Sequence, residues 1–512
     1  MSSVQSQTTN SLSIVNLPSE ILRRIFGYVR GQLPSEKHIR WEVIVRSGSS
    51  LKDIKNTRLV CWRFHNESSH LLLTTVSVSM SPTSLARLDE ISRHPLISQF
   101  IQTTQLVPHF FASELAESFP DFLVDRIQQL RVMVISGRSR VRADADSAAM
   151  TKSNRILDSW ERLLRGVATH SLNDEDLRNM RLIKRAHDQY RQAYLEQERM
   201  RTDGTFVSAV ADAVARMPRA KSLHITDCES FFKERRVRLV DLMENDDLLV
   251  RNLARPTKWG EGPVEEYEIP QVKLLSEIPL AIGRAGVRLT AVRYDIAPTA
   301  DCSRLLESDR DIFDLKEAMR QLTSFTFEPN NFRFLEFRVS DKNARYLVKF
   351  VGVFIDTDSI QNMRINTGFM CPDEEWDEES SSSAGSLLLT RTWPQLRRVD
   401  FQGPIHIEEL QLFYVGIQTR VKVILNKVYL LSGLWADVLD IMHDVRLEKG
   451  GWSSVWHPLG AECDGMAEDG KEEIFDDPYD NLSDYYIMGE MDDNPFRRVR
   501  GEDAYNDETG EW

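Results

Sequence analysis

The sequence has few cysteines and no long apolar run. No apolar stretch approaches the roughly 18 residues that a membrane-spanning helix requires. The first residues, MSSVQSQTTNSLS, have neither the basic nor the apolar region of a signal peptide, so we expect none. The five cysteines are odd in number and form no Cys-x-x-Cys pair, which argues against a disulfide framework or a zinc ribbon. We therefore expect a reducing compartment, cytoplasmic or nuclear, and no membrane partner.

The sequence also lacks the short motifs of common enzyme sites. No P-loop, Gly-x-Gly-x-x-Gly, His-Glu-x-x-His or Gly-x-Ser-x-Gly pattern occurs. Cys61 and His65 are four residues apart, but only His70, on another helical face, lies near them, so we interpret Cys61 as a packing residue. The acidic run DDPYDNLSD lacks the ligand order of a calcium loop. We expect no catalytic residue, no metal and no cofactor. The alternative that the protein is an enzyme requires a buried site whose residues cannot be recognised from their spacing in the sequence.

The negative charge of the chain is confined to its end. Residues 462–512 carry 18 acidic and 4 basic side chains, which accounts for the whole net charge of −14. We predict that residues 461–512 form an acidic, largely disordered tail. Its apolar residues predict that part of it docks on the body: Phe475, Tyr479, Tyr485, Tyr486, Ile487 and Phe496. The body is neutral, and we do not expect it to bind nucleic acid. Salt-dependent binding to DNA or RNA would indicate a nucleic-acid-binding surface instead.

The stretch LPSEILRRIFGYV, residues 17–29, predicts a short amphipathic helix. Its apolar residues fall on one helical face: Ile21, Leu22, Ile25, Phe26 and Val29. Pro18 suits the first turn of a helix, and Glu20 suits its positive end. A helix of about 12 residues is marginal alone in water. It therefore needs a partner surface.

A second helical pattern, from Asp53 to Val76, supplies such a partner. Leu59, Val60, Trp62 and Phe64 are close enough in sequence to form a small three-helix module with the first helix. A module of about 60 residues has a marginal core. It is more stable when it docks on the next domain or on another protein. Further along, residues 141–154 predict a loop and residues 155–216 predict two helices.

Short β-prone pieces with the pattern apolar-x-x-apolar-x-apolar recur between residues 220 and 430. They are AKSLHI (220–225), LTAVRY (289–294), LTSFTF (322–327), IQNMRI (360–365), LRRVDF (396–401) and VKVILNKVYL (421–430). From 289 onward their starts lie 33, 38, 36 and 25 residues apart, with helical patterns between several of them. This repetition favours an α/β solenoid, with an ordinary α/β domain as the alternative. The acidic, serine-rich residues 371–386 predict a disordered loop.

The two N-terminal blocks together resemble an F-box. The residues that carry the resemblance are Leu17, Pro18, Ile21, Leu22, Ile25 and Phe26 in the first block and Leu59, Val60, Cys61, Trp62 and Phe64 in the second. The link of about 24 residues (30–53) is longer than in a compact F-box. The later pieces WPQLRRVDFQG and KVILNKVYLLSGLWADVLDIM, with a central Trp435, are similar to the leucine-rich-repeat-like segments of fungal F-box proteins.

The resemblance implies a substrate-receptor subunit of an SCF-type cullin-RING ubiquitin ligase, which is a non-catalytic role. The F-box would bind the Skp-family adaptor, and through it the cullin, while the repeats would hold an unidentified protein substrate. The implied adaptor-binding residues are Leu17, Pro18, Ile21, Leu22, Ile25, Phe26, Leu59, Val60, Trp62 and Phe64. The alternative is a solenoid scaffold with no ligase role.

The resulting fold class is α/β, with a three-helix F-box followed by an irregular leucine-rich-repeat-like solenoid. The expected division of the chain is residues 1–13 disordered, 14–80 F-box, 81–460 substrate-binding domain and 461–512 acidic tail. We expect the substrate-binding domain to contain a helical insertion at about 153–216 and the disordered loop 371–386.

Overall fold

The computed structural model describes most of the 512-residue chain. The described residues are 14–30, 48–138, 144–166, 173–227, 238–257, 259, 271–297, 301–329, 340–371, 382–417, 420–461, 463, 474–475 and 481–497. The predicted disordered N-terminus, 1–13, lies outside them, as does most of the long link between the two N-terminal blocks.

Three helices form the N-terminal module: α1 (Ser19–Val29), α2 (Gly48–Arg58) and α3 (Trp62–Ser68). The prediction of one helical pattern from Asp53 to Val76 is wrong in detail. The chain leaves the helix after Arg58 and passes through an extended Cys61, with φ −162° and ψ 166°, before α3 begins. The Cys61 sulfur accepts a hydrogen bond from the Phe64 N–H, which caps α3 and fixes the break.

The strands form one parallel sheet whose order follows the chain. In the described residues they are β1 (Thr75–Ser79), β2 (Thr103–Val107), β3 (Ser222–Thr226), β4 (Ala291–Asp295), β5 (Ser324–Phe327), β6 (Asn362–Asn366), β7 (Arg398–His406), β8 (Lys422–Ser432), β9 (Trp452–Trp456) and β10 (Leu459–Gly460). β1 to β8 are neighbours in sequence order, and both β9 and β10 pair with β8. All six predicted β-prone pieces are confirmed as strands.

The remaining helices connect or flank the strands. They are α4 (Pro82–Arg93), α5 (Ser113–Glu117), α6 (Phe119–Arg138), α7 (Asp144–Leu164), α8 (Asp174–Thr202), α9 (Thr205–Ala215), α10 (Leu239–Glu244), α11 (Asp246–Leu253), α12 (Leu274–Arg284), α13 (Asp309–Ala318), α14 (Asp341–Ile355), α15 (Ile407–Gly416), α16 (Trp435–Lys449) and α17 (Leu482–Met488). None of the described helices is both long and apolar enough to cross a bilayer.

The sheet has one apolar face and one polar face. Parallel crossovers are right-handed, so a strand order without reversal puts successive helices on the same side. α4, α9, α12, α13 and α14 contact one another in that order, and a 3-10 helix at Gly385–Leu389 bridges α14 to α15. Alternate strand residues such as Val292, Phe325 and Val399 are buried under this helical layer. The polar residues between them form the other face, here called the open face, on which Arg364 and Arg398 are partly exposed and Asp295 is buried. The arrangement is compatible with an α/β solenoid.

The helical insertion is larger than predicted. Residues 144–154, predicted as part of a loop, begin α7, and the predicted two helices of 155–216 are the rest of α7 together with α8 and α9. α5 to α8, α10 and α11 enclose a separate apolar core around Trp160 and Tyr190. The small residues of 144–154 are compatible with a helix because Ala149 and Ser153 lie on its buried side.

Two segments predicted to be disordered contain packed residues. Ala384 and Gly385, in the predicted loop 371–386, are buried, and the Ala384 N–H donates to the Pro404 carbonyl oxygen. Residues 372–381 of that loop lie outside the described residues. Residues in the acidic tail also pack on the body, as predicted: Phe475, Tyr486, Ile487 and Phe496 are buried. The Tyr486 hydroxyl donates to Asp440 of α16 at 2.6 Å. Tyr479 lies outside the described residues.

Candidate functional site

The three N-terminal helices share a small apolar core. It consists of Leu22, Phe26, Ile54, Phe64 and Leu71. The rings of Phe26 and Phe64 meet edge to face, with centroids 5.0 Å apart. Three of the predicted adaptor-binding residues, Leu22, Phe26 and Phe64, are therefore buried inside the module. They offer no exposed surface to a partner, and they hold the three helices together.

Other predicted residues lie on the outside of the same module. Leu59, Val60 and Trp62 are 85%, 67% and 76% exposed, and Ile21 is 44% exposed. Pro18 is also exposed, whereas Leu17 and Ile25 are half-buried against the core. We name Pro18, Ile21, Leu59, Val60 and Trp62 the apolar surface. The break between α2 and α3 positions three of its members, Leu59, Val60 and Trp62, because a continuous helix would place these three residues at other angles around its axis.

Polar contacts hold the Leu-Pro corner beside the start of α3. Arg63 donates hydrogen bonds to the carbonyl oxygens of Val15 and Leu17. Glu67 accepts one from the Ser19 hydroxyl at 2.8 Å and one from Arg23 at 2.6 Å. Burial opposes ionisation of Glu67, but these two partners outweigh it and hold its pKa below the usual value. The ends of the two predicted blocks are thus brought together, although more than 40 residues separate them in the chain.

The exposed indole of Trp62 has a fixed orientation. Its ring stacks on the imidazole of His65, with centroids 5.5 Å apart and planes 8° from parallel. His65 in turn lies 3.1 Å from Arg58, measured from Nε2 to Nη2, and Arg58 also donates to Ser69. A large aromatic side chain held flat on a surface is typical of a binding hot spot.

No family model, curated protein or solved structure matches this chain. Its function must be inferred from its own surfaces. Within the described ranges, no three His, Cys, Asp or Glu side chains come together as metal ligands would.

The second surface with functional potential is the open face of the sheet. Ionisable side chains there form a continuous ladder from β3 to β7, in which each carboxylate joins two basic side chains. The contacts are His224–Asp295 at 2.8 Å, Arg293–Asp295 at 2.7 Å, Arg293–Glu328 at 3.4 Å, Arg364–Glu328 at 3.5 Å, Arg364–Asp400 at 2.8 Å and Arg398–Asp400 at 2.8 Å. We name this set the charge ladder. Sequence reasoning missed it, although its strand members occupy the polar positions between apolar residues of the repeated pattern.

The ladder is followed by a lysine and a tryptophan that contact each other. Lys422 on β8 lies in register with Arg398 on one side and with Trp452 of β9 on the other. Its ammonium group is 3.9 Å from the centroid of the Trp452 ring, which is a cation–π contact. Burial, and then the charge of Arg398, lower the pKa of Lys422. Sequence reasoning noted this segment as a β-prone piece and as part of the repeat resemblance, and did not single out Lys422 or Trp452.

Proposed function

We propose that this chain is the substrate receptor of an SCF-type cullin-RING ubiquitin ligase. The observation that carries the proposal is the apolar surface, in which three large side chains, Leu59, Val60 and Trp62, are exposed on the same three-helix module whose Arg63 holds the Leu-Pro corner. Exposed groups of this size on a small module need a partner, because apolar area in water is unfavourable. An F-box docks on a Skp-family adaptor, and the three-helix arrangement supports that assignment.

The energetics require both blocks to take part in docking. Burying one large apolar side chain contributes roughly 1.5–3 kcal/mol, whereas association costs on the order of 4–15 kcal/mol. On α1 the exposed large apolar residues are Ile21, Tyr28 and Val29, each less than half exposed, whereas Leu22 and Phe26 are already buried. The turn and α3 supply three more residues, Leu59, Val60 and Trp62, so the second block carries the larger share of the affinity.

The rest of the chain would present the protein substrate. We interpret the parallel sheet and its layer of helices as an irregular leucine-rich-repeat-like domain, whose open face carries the charge ladder. A receptor of this kind performs no bond chemistry. It holds the target near the charged ubiquitin carrier and so converts a bimolecular encounter into an effectively intramolecular one.

The test is co-purification of the full chain with a Skp-family adaptor. We expect the wild-type chain to capture the adaptor and Trp62→Ala or the double variant Leu59→Ser/Val60→Ser to lose it. Phe313→Ala is the matched control, because Phe313 is a similarly exposed aromatic residue, 70% exposed, but lies on α13 outside the module. Retained capture by both surface variants would contradict this docking surface. A folded wild-type chain that never captures the adaptor would instead favour the solenoid scaffold without a ligase role.

A further inference from the structure

Exposed cations gather along one edge of the sheet, where its parallel strands begin. Backbone hydrogen bonds join the entry turns there: the Thr290 N–H donates to the Lys221 carbonyl oxygen, and the Lys422 N–H donates to that of Arg397. The turns carry five exposed basic side chains, which are Arg219 and Lys221 before β3, Arg288 before β4, Arg397 before β7 and Arg420 before β8. We name these five residues the basic rim.

Carboxylates gather at the opposite edge of the sheet. There the strands end and the connecting helices begin, and acidic side chains are favoured in the first turn of a helix. The first turns of α13 to α16 carry Asp309, Asp311, Asp341, Glu408, Glu409 and Asp437. The body of the chain is therefore neutral in composition, but its fold separates positive from negative charge.

Helix ends do not account for the basic rim. Basic residues complement the dipole in the last turn of a helix, and the effect falls off within that turn. Arg216 and Arg284 fulfil this role at the ends of α9 and α12, and each is also paired with a carboxylate at 2.7 Å. The basic rim lies beyond those helix ends.

The basic rim is not neutralised by the rest of the fold. Among the described residues, none of its five members forms an ion pair. Arg219 does lie over the ring of Phe100, 5.6 Å from its centroid. Asp212 and Glu448 are exposed in the last turns of α9 and α16 and are the nearest candidates to oppose the rim, but neither is paired with it. The positive charge is therefore available to an external anion.

The basic rim is long and linear. From β3 to β8 there are five steps between neighbouring strands, which corresponds to roughly 24 Å. This length equals the rise of about seven stacked nucleotides. Amide side chains in the same row of turns can donate to phosphate and sugar oxygens, and they are Gln102, Gln321, Gln361 and Gln395. A line of cations interspersed with amides fits a regularly charged backbone.

We propose that the basic rim binds a single strand of nucleic acid through its phosphates. Four of the five cations are arginines, whose guanidinium groups match phosphate oxygens in geometry. The neighbouring amides can reach base edges only where the bases are unpaired, which favours a single strand over a duplex. This inference goes beyond the proposed function and does not rest on it.

The negative net charge of the chain does not oppose this binding at the rim. The net charge of −14 is carried by residues 462–512, and the described part of that segment packs on α16 through Tyr486 and Arg497. Both contacts involve Asp440, in the first half of α16, whereas the rim lies towards the other end of that helix. Salt screens exposed charges over about 10 Å at 0.1 M.

The test is fluorescence anisotropy of the full chain with three labelled probes. They are an oligouridine of about 12 nucleotides, the same strand paired with oligoadenosine, and a polyglutamate peptide of equal length. We expect the single strand to bind at least tenfold more tightly than the duplex or the peptide. With five phosphates contacted, the logarithm of its binding constant should fall with the logarithm of salt concentration with a slope of about −3.5.

Paired variants locate the site. Arg397→Gln/Arg420→Gln should weaken binding of the single strand at least tenfold and reduce the slope to about −2.1, because two phosphate contacts are lost. Arg310→Gln/Lys342→Gln is the matched control. It removes the same charge from two exposed residues at the opposite edge, neither of which is paired with a described residue, and should leave binding unchanged.

The other outcomes contradict the inference. Equal losses in the two double variants would show that the strand responds to overall charge and not to the basic rim. Equal or tighter binding of polyglutamate would make the rim a site for acidic polypeptides, and tighter binding of the duplex would exclude a single-strand site. Absence of binding at 50 mM salt would also overturn it. Trp62→Ala, which is directed at the adaptor, should bind the strand normally, so the two proposals fail separately.

Discussion

The indole of Trp62 lies parallel to the imidazole of His65, with an 8° angle between the ring planes. Trp62 is nevertheless among the most exposed large apolar residues of the described chain. The stack restricts the rotamers of the Trp62 side chain, whose ring is not otherwise packed against the core. An anchor ordered before binding loses less conformational entropy on association.

The first prediction concerns this stack. Trp62→Ala should weaken adaptor binding by at least 2 kcal/mol, as expected for a truncated aromatic hot spot. His65→Ala should weaken it by only about 0.5–1 kcal/mol, because it removes the orientation of the indole but not its contact area. Titration calorimetry with the purified adaptor measures both. Equal losses in the two variants would mean that His65 contacts the adaptor directly.

The second prediction separates the two sides of α1. Phe26→Ala should destabilise the three-helix module by about 3–5 kcal/mol, because it opens a cavity against Phe64 in a core to which the described residues contribute five buried side chains. Ile21→Asp, on the exposed side, should change stability by less than about 0.5 kcal/mol yet abolish adaptor binding. Hydrogen exchange of the α1 and α3 amides reports the stability of the module in each variant. Fast exchange in Ile21→Asp would refute the assignment of its side chain to the surface.

The third prediction is a pH dependence at the C-terminal helix. Burial raises the pKa of Asp484 to about 6, although Ser454 and the charge of Lys422 act in the opposite direction. A carboxyl with a raised pKa disfavours the folded state wherever it must ionise. The destabilisation of the folded state by Asp484 is therefore absent below pH 3.8, which is the ordinary pKa of the group. It grows between pH 3.8 and about 6 and is complete above about pH 6.

The variant Asp484→Asn isolates this contribution. At pH 7.5 it should be more stable than the wild-type protein by about 1–2 kcal/mol, a value reduced for solvent screening of a partly buried group. Near pH 3.5 the two proteins should be equally stable. The measurement is denaturant unfolding of both proteins, followed through local exchange in α17. A difference that is constant across this pH range would assign the effect of the substitution to packing rather than ionisation.

The fourth prediction concerns a close approach between neighbouring strand segments. Gly403 has φ +139°, and a Cβ there would lie 2.0 Å from the Thr367 hydroxyl oxygen, which donates to the Gln402 carbonyl. Gly403→Ala should cost at least 3 kcal/mol, because it adds a clash and a lost hydrogen bond to backbone strain. Gly204 also has positive φ, but a Cβ there meets nothing within 4 Å, so Gly204→Ala should cost only about 1 kcal/mol. Thermal unfolding compares them, and similar costs would contradict the clash.

The strands that the sequence predicted share a strong local signal. In pieces such as LTSFTF, a buried leucine is followed by apolar residues that alternate with polar ones. This pattern indicates a strand that is buried on one face. β1, with the sequence TVSVS, was missed because its start falls in a stretch whose leucines match a helical pattern. The local sequence there is compatible with both structures, and pairing with β2 decides between them.

The candidate sites depend more on tertiary structure. The residues of the N-terminal module could be selected from their spacing, but their division between core and surface could not. Leu59 and Phe64 are equally apolar in the sequence, yet one is exposed and the other buried. The break at Cys61 causes that difference. The hydrogen bond to the cysteine sulfur that fixes the break is not visible in the apolar pattern of the sequence.

By itself, the sequence determined an α/β chain with a parallel-strand repeat, an amphipathic N-terminal module and a C-terminal concentration of negative charge, because periodicity and composition are local properties. Only the tertiary structure decided the charge ladder and the contact between Lys422 and Trp452. Arg293 meets Glu328, and Arg398 faces Lys422, solely because parallel strands from distant parts of the chain pair in one register. Register is set by the packing of the buried faces, so the order of charges on the open face is a consequence of the core beneath it.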